Sequence, residues 1–233
     1  MLIAAAAALA GAGGTALVMA SSEPVNTSDR AAIETIVREY ILTHPEILPQ
    51  AMENLRSKEM AKIVEANRKA IETPVGDAWE GAADADVTLV EFFDYACGYC
   101  RASIADVDRL LAEDKKLKVV YRDMPVLGED SLAAARLSVA AAMAGKFNAM
   151  HKPLYKAGRP SVSNVEAARR QAGVDKNAIS NPQVDQQLAL NLKLQRDLDL
   201  SGTPAWVVGN KVLVGAVGYD ALKAAIAEAR TKK

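Results

Sequence analysis

The sequence is poor in the residues that most chemical sites require. Its 233 residues include only two cysteines and two histidines, and its net charge at pH 7 is −1. Basic residues are scattered in short pairs such as Lys115-Lys116, so no face for nucleic acid is expected. Two cysteines are too few for a disulfide scaffold. A structural zinc site needs four ligands, and His44 and His151 are distant from the cysteines in the sequence, so no structural zinc site is predicted.

The first twenty residues contain no charged side chain and are rich in alanine and glycine. The run ends in Val18-Met19-Ala20, with small residues where a signal peptidase cleaves. We interpret residues 1–20 as a secretory signal cleaved after Ala20. The alternative is an uncleaved membrane anchor, since about 20 apolar residues can span a bilayer. Export matters for the cysteines, because thiols in an oxidising compartment are either paired or reactive.

Residues 28–72 carry two helical patterns. Ser28 or Asp29 can cap the first helix, which should end at His44-Pro45, and the second should run from about Pro49 to Glu72. The apolar stripe of the first helix consists of Ile33, Ile36, Val37, Tyr40 and Ile41. Helices of this kind pack on a neighbour or pair with copies of themselves, and the pattern does not decide between the two. The stretch from 28 to 72 is therefore predicted to be a helical extension for which self-association is an open alternative.

The remaining chain alternates between strand and helix patterns. Thr73 to Asp86 is rich in glycine, proline and acidic residues, which indicates a boundary. VTLVEFF and LKVVYRD are predicted strands that flank a helix from Cys97 to Glu113, an order that implies a parallel pair. The later predicted elements are helices over Ser131–Ala144 and Phe147–Tyr155, a helix with a Ser163/Glu166 capping box that stops at Gly173, a helix from Asn181-Pro182 to about Leu200, a hairpin turning at Gly209-Asn210, and a helix over Asp220–Arg230.

Both cysteines lie in the motif Cys97-Gly98-Tyr99-Cys100, where the first strand ends and a helix begins. The first turn of a helix has unpaired N–H groups and the positive end of the macrodipole, so it stabilises a thiolate. Cys97 is therefore predicted to be the exposed nucleophile. Cys100, one turn further on, can attack a mixed disulfide formed at Cys97.

Other uses of a two-cysteine motif can be compared with this one. Haem attachment requires histidine after the second cysteine, where this chain has Arg101. A purely structural disulfide would close so small a loop that it would contribute only about 2 kcal/mol. A Cu(I) site formed by two thiolates is chemically reasonable and stays open. Redox exchange fits the strand–motif–helix context best.

The motif VEFFDYACGYC, the helical insertion and SGTPAWVVG together resemble the DsbA family of exported thiol–disulfide oxidoreductases, over about Val87 to Ala229. The N-terminal helices with HPEIL resemble the extension of the ScsC branch. The resemblance implies an α/β fold: a thioredoxin-like domain over residues 74–233 with an inserted helical subdomain at about 129–200, preceded by the N-terminal helical extension.

The resemblance also implies roles for particular residues. A cis peptide bond is expected at Thr203-Pro204, with the backbone of Thr203 pairing with an extended substrate segment. Glu91, in a strand of apolar neighbours, should be buried with a raised pKa and should take the proton of Cys100 through water. The alternative for Glu91 is an edge-strand position that faces solvent. Gly98 and Tyr99 tune the redox couple, and without an imidazole between the cysteines the potential should lie below the value near −120 mV of the strongest oxidants.

The expected function is periplasmic thiol–disulfide exchange without a metal or organic cofactor. The expected partners are exported proteins with thiols or disulfides and a membrane-bound redox partner. The direction of electron flow stays open: the chain is either an oxidase or an isomerase or reductase with oligomeric N-terminal helices. A copper-binding redox module is a further alternative. Asp94 and Tyr95 should shape the turn before the motif. His151, Trp79 and Trp206 should pack in the interior.

Overall fold

The computed structural model describes residues 27–231. They divide into two compact units, one ending at Ala51 and one starting at Met52. The predicted signal segment and its membrane-anchor alternative, residues 1–20, lie outside the described residues. Within residues 27–231, no helix has both the length and the apolar character needed to cross a membrane.

The first unit contains helix α1, Thr27–Thr43, and the start of helix α2, Ile47–Glu72. The helix stop predicted at His44-Pro45 is confirmed, and α2 begins two residues earlier than expected. Four of the five side chains in the apolar stripe of α1, all except Ile41, are exposed, with 65% of Ile36 accessible to solvent. An exposed stripe of this kind is unusual on a monomeric protein.

The second unit is built on a five-stranded sheet in the order β1-β3-β2-β4-β5. Its strands are β1 Trp79–Gly81, β2 Val87–Phe93, β3 Leu117–Asp123, β4 Ala205–Val208 and β5 Lys211–Val214. Strands β2 and β3 are parallel, as predicted, with Val87 opposite Leu117 and Phe93 opposite Asp123. The predicted hairpin is confirmed as β4 and β5, which pair antiparallel across Gly209-Asn210.

Helices cover both faces of the sheet. Along β2, Leu89 and Phe93 join one hydrophobic cluster and Val90 and Phe92 join another, because successive strand residues point to opposite faces. The first cluster includes apolar residues of α3, α4, α5 and α8, and the second includes residues of α2 and α7. The helices after α2 are α3 Gly98–Glu113, α4 Glu129–Met143, α5 Phe147–Lys156, α6 Val162–Gln171, α7 Pro182–Asp197 and α8 Gly218–Thr231, with a 3₁₀ turn at Lys176–Ser180.

Strand β1 lies inside the stretch that the sequence indicates as a boundary. Its three residues pair antiparallel with β3, where Glu80 is opposite Val119. Three residues are too few to show an alternating pattern, so the free edge of β3 rather than the local sequence decides that this segment is a strand.

The capping box predicted at Ser163 and Glu166 is wrong by two residues. Helix α6 is capped by Ser161, whose Oγ accepts a hydrogen bond from the Asn164 backbone N–H, while Asn164 Oδ1 accepts from the Ser161 N–H at 2.8 Å. The amide oxygen of asparagine fills the acceptor role that glutamate or glutamine usually has at this position. The helix ends as predicted before Gly173, which has a φ of +66°.

Arg122, in strand β3, closes the C-terminal end of α2. It is buried, and its guanidinium donates to the carbonyls of Ala70, Ile71 and Thr73. Burial lowers the pKa of Arg122 to about 10, so it stays charged at neutral pH. A cation at this position satisfies carbonyls that the helix leaves unpaired and complements the negative end of the helix dipole.

Candidate active site

The turn before the cysteine motif is held by Asp94, as the sequence suggested. Its Oδ1 accepts from the Ala96 N–H at 2.8 Å and from Ser131 Oγ. Its Oδ2 accepts from the N–H groups of Val126 and Leu127, at 2.9 and 3.1 Å. The Cys97 N–H donates to the Asp94 carbonyl at 3.0 Å. One carboxylate thus ties the end of β2 to the loop after β3 and fixes where Cys97 lies.

Cys97 is the N-cap of α3, which begins at Gly98 rather than at Cys97 itself. Both cysteines are free thiols, so the structure is of the reduced form. Cys100 lies fully inside the hydrophobic cluster, one turn beyond Cys97. The expectation of an exposed Cys97 needs correction, because this residue is only 6% exposed. The most accessible side chain of the motif is Tyr99, which is 71% exposed.

Thr203 covers the Cys97 thiol. The peptide bond between Thr203 and Pro204 is cis, which confirms the expectation. Cys97 Sγ donates to the Thr203 carbonyl oxygen over 3.2 Å. Strand β4 follows at once and pairs antiparallel with β2, where Trp206 is opposite Glu91. The sheet therefore brings two segments that are about a hundred residues apart against the same sulfur atom.

Glu91 lies on β2, a central strand, and is 5% exposed. The alternative of an edge-strand carboxylate in solvent is therefore wrong. Burial, and after it the negative charges of ionised Cys97 and of Glu80, raise the pKa of Glu91 to about 8. At neutral pH the carboxyl group keeps its proton for most of the time but can release it, which suits a group that exchanges protons.

Cys100 is much harder to ionise than a free thiol. Its burial and, second, the charge of Glu91 raise its pKa well above the usual range. A buried thiol of this kind does not become a nucleophile at neutral pH without a nearby base. Glu91 is the carboxyl group whose charge raises the pKa of Cys100.

His151 is a packing residue, as expected. It is buried against the rings of Phe93, Tyr121, Phe147 and Tyr155. Burial and then the charge of Lys152 lower its pKa to about 3. Its Nδ1 lies 2.9 Å from the hydroxyl of Tyr95, in the turn before the motif. A neutral imidazole in this position fixes Tyr95 and does not act as a base.

Three polar residues near Glu91 escaped the sequence analysis. Glu80 lies on β1, Tyr121 on β3 next to Glu91, and Lys152 on α5. Tyr121 could have been found from the sequence. It is the fifth residue of the predicted strand LKVVYRD, and Glu91 is the fifth residue of the parallel strand VTLVEFF. In the part of the chain that the structure describes, no three histidine, cysteine, aspartate or glutamate side chains come together as a metal-binding group.

Comparison with known proteins agrees with this geometry. Residues 88–227, well over half of the chain, match the DSBA-like thioredoxin domain. The chain belongs to this family. Residues 29–62 also match the N-terminal domain of the copper resistance protein ScsC. The DsbA-like part contains both cysteines, Glu91 and Thr203-Pro204, and the ScsC-like part contains most of α1 and the first 16 residues of α2.

Solved structures of the same kind extend the family assignment. A linker-deletion mutant of Proteus mirabilis ScsC is 25% identical, with a TM-score of 0.69 over 91% of this chain and all of that one. A thioredoxin-like oxidoreductase from Silicibacter pomeroyi DSS-3 is 35% identical, with a TM-score of 0.65 over 71% of this chain and 98% of that one. The comparisons support a thiol–disulfide oxidoreductase of the DsbA and ScsC type.

The curated proteins that match are much longer. The Na(+)/H(+) antiporter NhaA 1 of Salinispora arenicola is 27% identical over 165 residues, which are 67% of this chain and 25% of the antiporter. The chain thus spans about a quarter of the length of the curated relatives it matches.

Proposed function

We propose that the chain is an exported, periplasmic thiol–disulfide oxidoreductase that acts on the cysteines of exported proteins. The observation that carries this proposal is the placement of two free thiols at the start of α3. Cys97 is the N-cap, and Cys100 is buried one turn below it, where it interacts electrostatically with the Glu91 carboxyl group, whose pKa is raised. The first helical turn supplies the positive end of the macrodipole to the Cys97 sulfur.

The exchange proceeds in two displacements. The thiolate of Cys97 attacks one sulfur of a substrate disulfide, which forms a mixed disulfide and releases the first substrate thiolate. Cys100 then gives its proton to Glu91 through water, and its thiolate attacks the Cys97 sulfur. This step releases the second substrate thiolate and leaves a Cys97–Cys100 disulfide. The reverse sequence oxidises a substrate dithiol, and a membrane-bound redox partner resets the couple.

Substrate binds beside Thr203 in this proposal. The Thr203 carbonyl oxygen lies 3.2 Å from Cys97 Sγ. A peptide whose backbone pairs with Thr203 therefore places its own cysteine next to the nucleophile. Gly98 leaves the space above the motif open, since a Cβ built there would meet no atom within 4 Å. Tyr99 is exposed and offers its ring to the same substrate. Together these two residues tune the couple and admit a polypeptide to it.

The full chain is expected to accelerate the reduction of insulin by dithiothreitol and the refolding of scrambled ribonuclease. The direction in cells follows from the redox state of Cys97 and Cys100, measured by alkylation shift: oxidised cysteines indicate disulfide donation, and reduced cysteines indicate isomerisation or reduction. Absence of activity in both assays would contradict the proposal. The pair of free thiols, together with the match of residues 29–62 to the N-terminal domain of a copper resistance protein, favours Cu(I) binding as a second candidate. Tight copper binding that persists after alkylation would exclude the cysteines as its ligands.

We further propose that α1 drives self-association of the chain. Its exposed apolar side chains recur at helical spacing and would be covered by the same face of another copy. These side chains are Ile33, Ile36, Val37 and Tyr40. The double substitution Ile33→Glu and Val37→Glu is expected to convert an oligomer into a monomer in sedimentation velocity. A control with Arg38→Gln, on the same helix, should keep the oligomer. A wild-type chain that sediments as a monomer would remove the proposal.

A further inference from the structure

A row of polar side chains crosses the sheet next to the proposed site. Glu91 on β2 is opposite Tyr121 on β3. Glu80 on β1 is opposite Val119, two residues before Tyr121. Residues two apart in a strand share a face, so the three side chains lie on the same side of the sheet. Glu80 is therefore two strand spacings, about 10 Å, from the strand that carries Glu91.

Glu80 is held in place at the edge of the sheet. Lys152 Nζ lies 3.0 Å from Glu80 Oε2 and 2.7 Å from Asp108 Oδ1, so one ammonium group joins β1 to α3. A surface groove of about 500 Å³ opens here, lined by Asp77, Trp79, Glu80, Gly81, Leu111 and Asn148. The Glu80 side chain is 19% exposed. This ion pair thus stands between solvent and the buried interior that contains Glu91.

Few charged side chains lie near Glu91. The groups that interact with Glu91 or the cysteines from the packed elements are Cys97 and Cys100 on α3, Asp94 and Tyr95 in the turn, Tyr121 on β3, Glu80 on β1 and Tyr155 on α5; at the rim, Lys152 pairs with both Glu80 and Asp108. Burial raises the pKa values of all three tyrosines well above their usual range, so they are neutral. Apart from Cys97, the charged side chains are Asp94, whose carboxylate accepts hydrogen bonds in the turn, and Glu80, Asp108 and Lys152 at the rim.

We propose that Glu80 and Lys152 are positioning residues that set the proton affinity of Glu91 from the edge of the sheet. The inference rests on the proposed exchange reaction, in which Glu91 receives the Cys100 proton. Glu80 and Lys152 take part in no covalent step: the proton passes from Cys100 to Glu91, and the electron pair stays on the Cys100 sulfur. Glu80 makes Glu91 hold its proton more tightly, and Lys152 offsets that effect.

The size of the effect follows from the distance. Two unit charges about 10 Å apart at an effective dielectric constant near 20 change a pKa by about one unit. Solvent in the groove screens part of this, so a shift of about 0.5 to 1 unit is expected for the loss of one charge.

The test uses single substitutions with opposite expected signs. Glu80→Gln should lower the pKa of Glu91, and Lys152→Met should raise it by a smaller amount, because the Lys152 side chain is more exposed than that of Glu80 and solvent screens its charge more strongly. The double variant should return toward the wild type, and Lys152→Arg should keep the wild-type value. The pKa is read from the pH titration of the Glu91 side-chain carboxyl carbon by NMR in the reduced full chain, with the signal assigned by its loss in Glu91→Gln.

A matched control lies at the other edge of the sheet. Glu228 pairs with Lys211 of β5 at 2.6 Å, and β5, like β1, is two strands from β2. The Glu228 side chain is more exposed than that of Glu80, so Glu228→Gln should leave the titration unchanged. Equal shifts in Glu228→Gln and Glu80→Gln, or no opposite shifts in Glu80→Gln and Lys152→Met, would overturn the inference.

The titration is independent of the exchange reaction. Opposite shifts in a chain that exchanges no disulfides would support the electrostatic coupling and contradict the proposed function. Normal exchange together with an unchanged Glu91 titration would support the proposed function and contradict the electrostatic coupling. If both the electrostatic coupling and the exchange reaction are observed, the pH profile for resolution of a mixed disulfide at Cys97 should move in the same direction as the Glu91 titration in each variant.

Discussion

Replacing Cys97 with serine is expected to abolish thiol–disulfide exchange, with a loss of rate of at least about 10³-fold. Serine keeps the size and the N-cap geometry, but its hydroxyl does not ionise near neutral pH and does not form a disulfide. Cys100 has no means of replacing it, because it is fully buried and its pKa is raised well above the usual range. The measurement is the initial rate of insulin reduction, together with the fraction of each cysteine labelled by iodoacetamide.

Cys100→Ser should fail at a later step. Cys97 still attacks the substrate, but no second thiol resolves the product, so a mixed disulfide accumulates and the mass of the protein rises by that of the substrate. Ser103→Ala is a suitable control, since Ser103 is a buried residue of the same helix whose hydroxyl donates to the Tyr99 carbonyl rather than to a sulfur atom. Exchange that survives Cys97→Ser, or substrate attached to Cys100, would reverse the assigned order of attack.

The sequence predicted the site best where the chemistry is local. The spacing of Cys97 and Cys100 and the change from strand to helix pattern at the motif are both visible in the continuous stretch from Val87 to Glu113, and the structure confirms the strand–motif–helix order. The contact between Cys97 and Thr203 is not visible in any local pattern. About a hundred residues separate the two, so only resemblance to a family brought them together before the structure did.

Strand β1 shows what a local pattern omits. Trp79–Gly81 is a strand because β3 offers an unpaired edge, and three residues do not carry a period of their own. Since the sequence indicated a boundary there, Glu80 was not recognised as a neighbour of Glu91. The register of a sheet places these two carboxyl groups on one face, and register is set by pairing across the fold.

The end of β3 shows a second limit. Arg122 and Asp123 end the strand as an adjacent charged pair, a pattern typical of solvated residues, yet both are buried. Arg122 closes the C-terminus of α2, and Asp123 accepts a hydrogen bond from Ser138 Oγ at 3.1 Å on the other face. Burial raises the pKa of Asp123 well above its usual range. The partners of both residues come from helices that no property of the strand itself identifies.

Glu91→Gln is expected to stabilise the reduced protein at neutral and alkaline pH. Burial raises the pKa of Glu91 to about 8 in the folded chain, while an unfolded glutamate titrates near 4.3. Between these values the folded state holds a proton that the unfolded state has released. The wild type should therefore lose stability as pH rises, by up to about 1.4 kcal/mol per pH unit, and the loss should end above about pH 8.

Glutamine has no such proton, so the variant should lose less stability than the wild type over this range; the contribution of the buried Asp123 is common to both proteins and cancels in the difference. At pH 4 the two proteins should be equally stable, and at pH 8 the variant should be more stable by about 3 to 5 kcal/mol in urea unfolding under dithiothreitol. Glu113→Gln is a control that should change stability in the opposite direction. Hydrogen bonds from Tyr219, Lys223 and Arg109 lower the pKa of Glu113 to about 2, so this substitution should cost stability by a constant amount from pH 5 to 8. Parallel curves for the wild type and Glu91→Gln would mean that Glu91 is ionised well below neutral pH. A carboxylate with so low a proton affinity is a poor acceptor for the proton of a thiol whose pKa is raised by burial, so the role of Glu91 in activating Cys100 would then be lost.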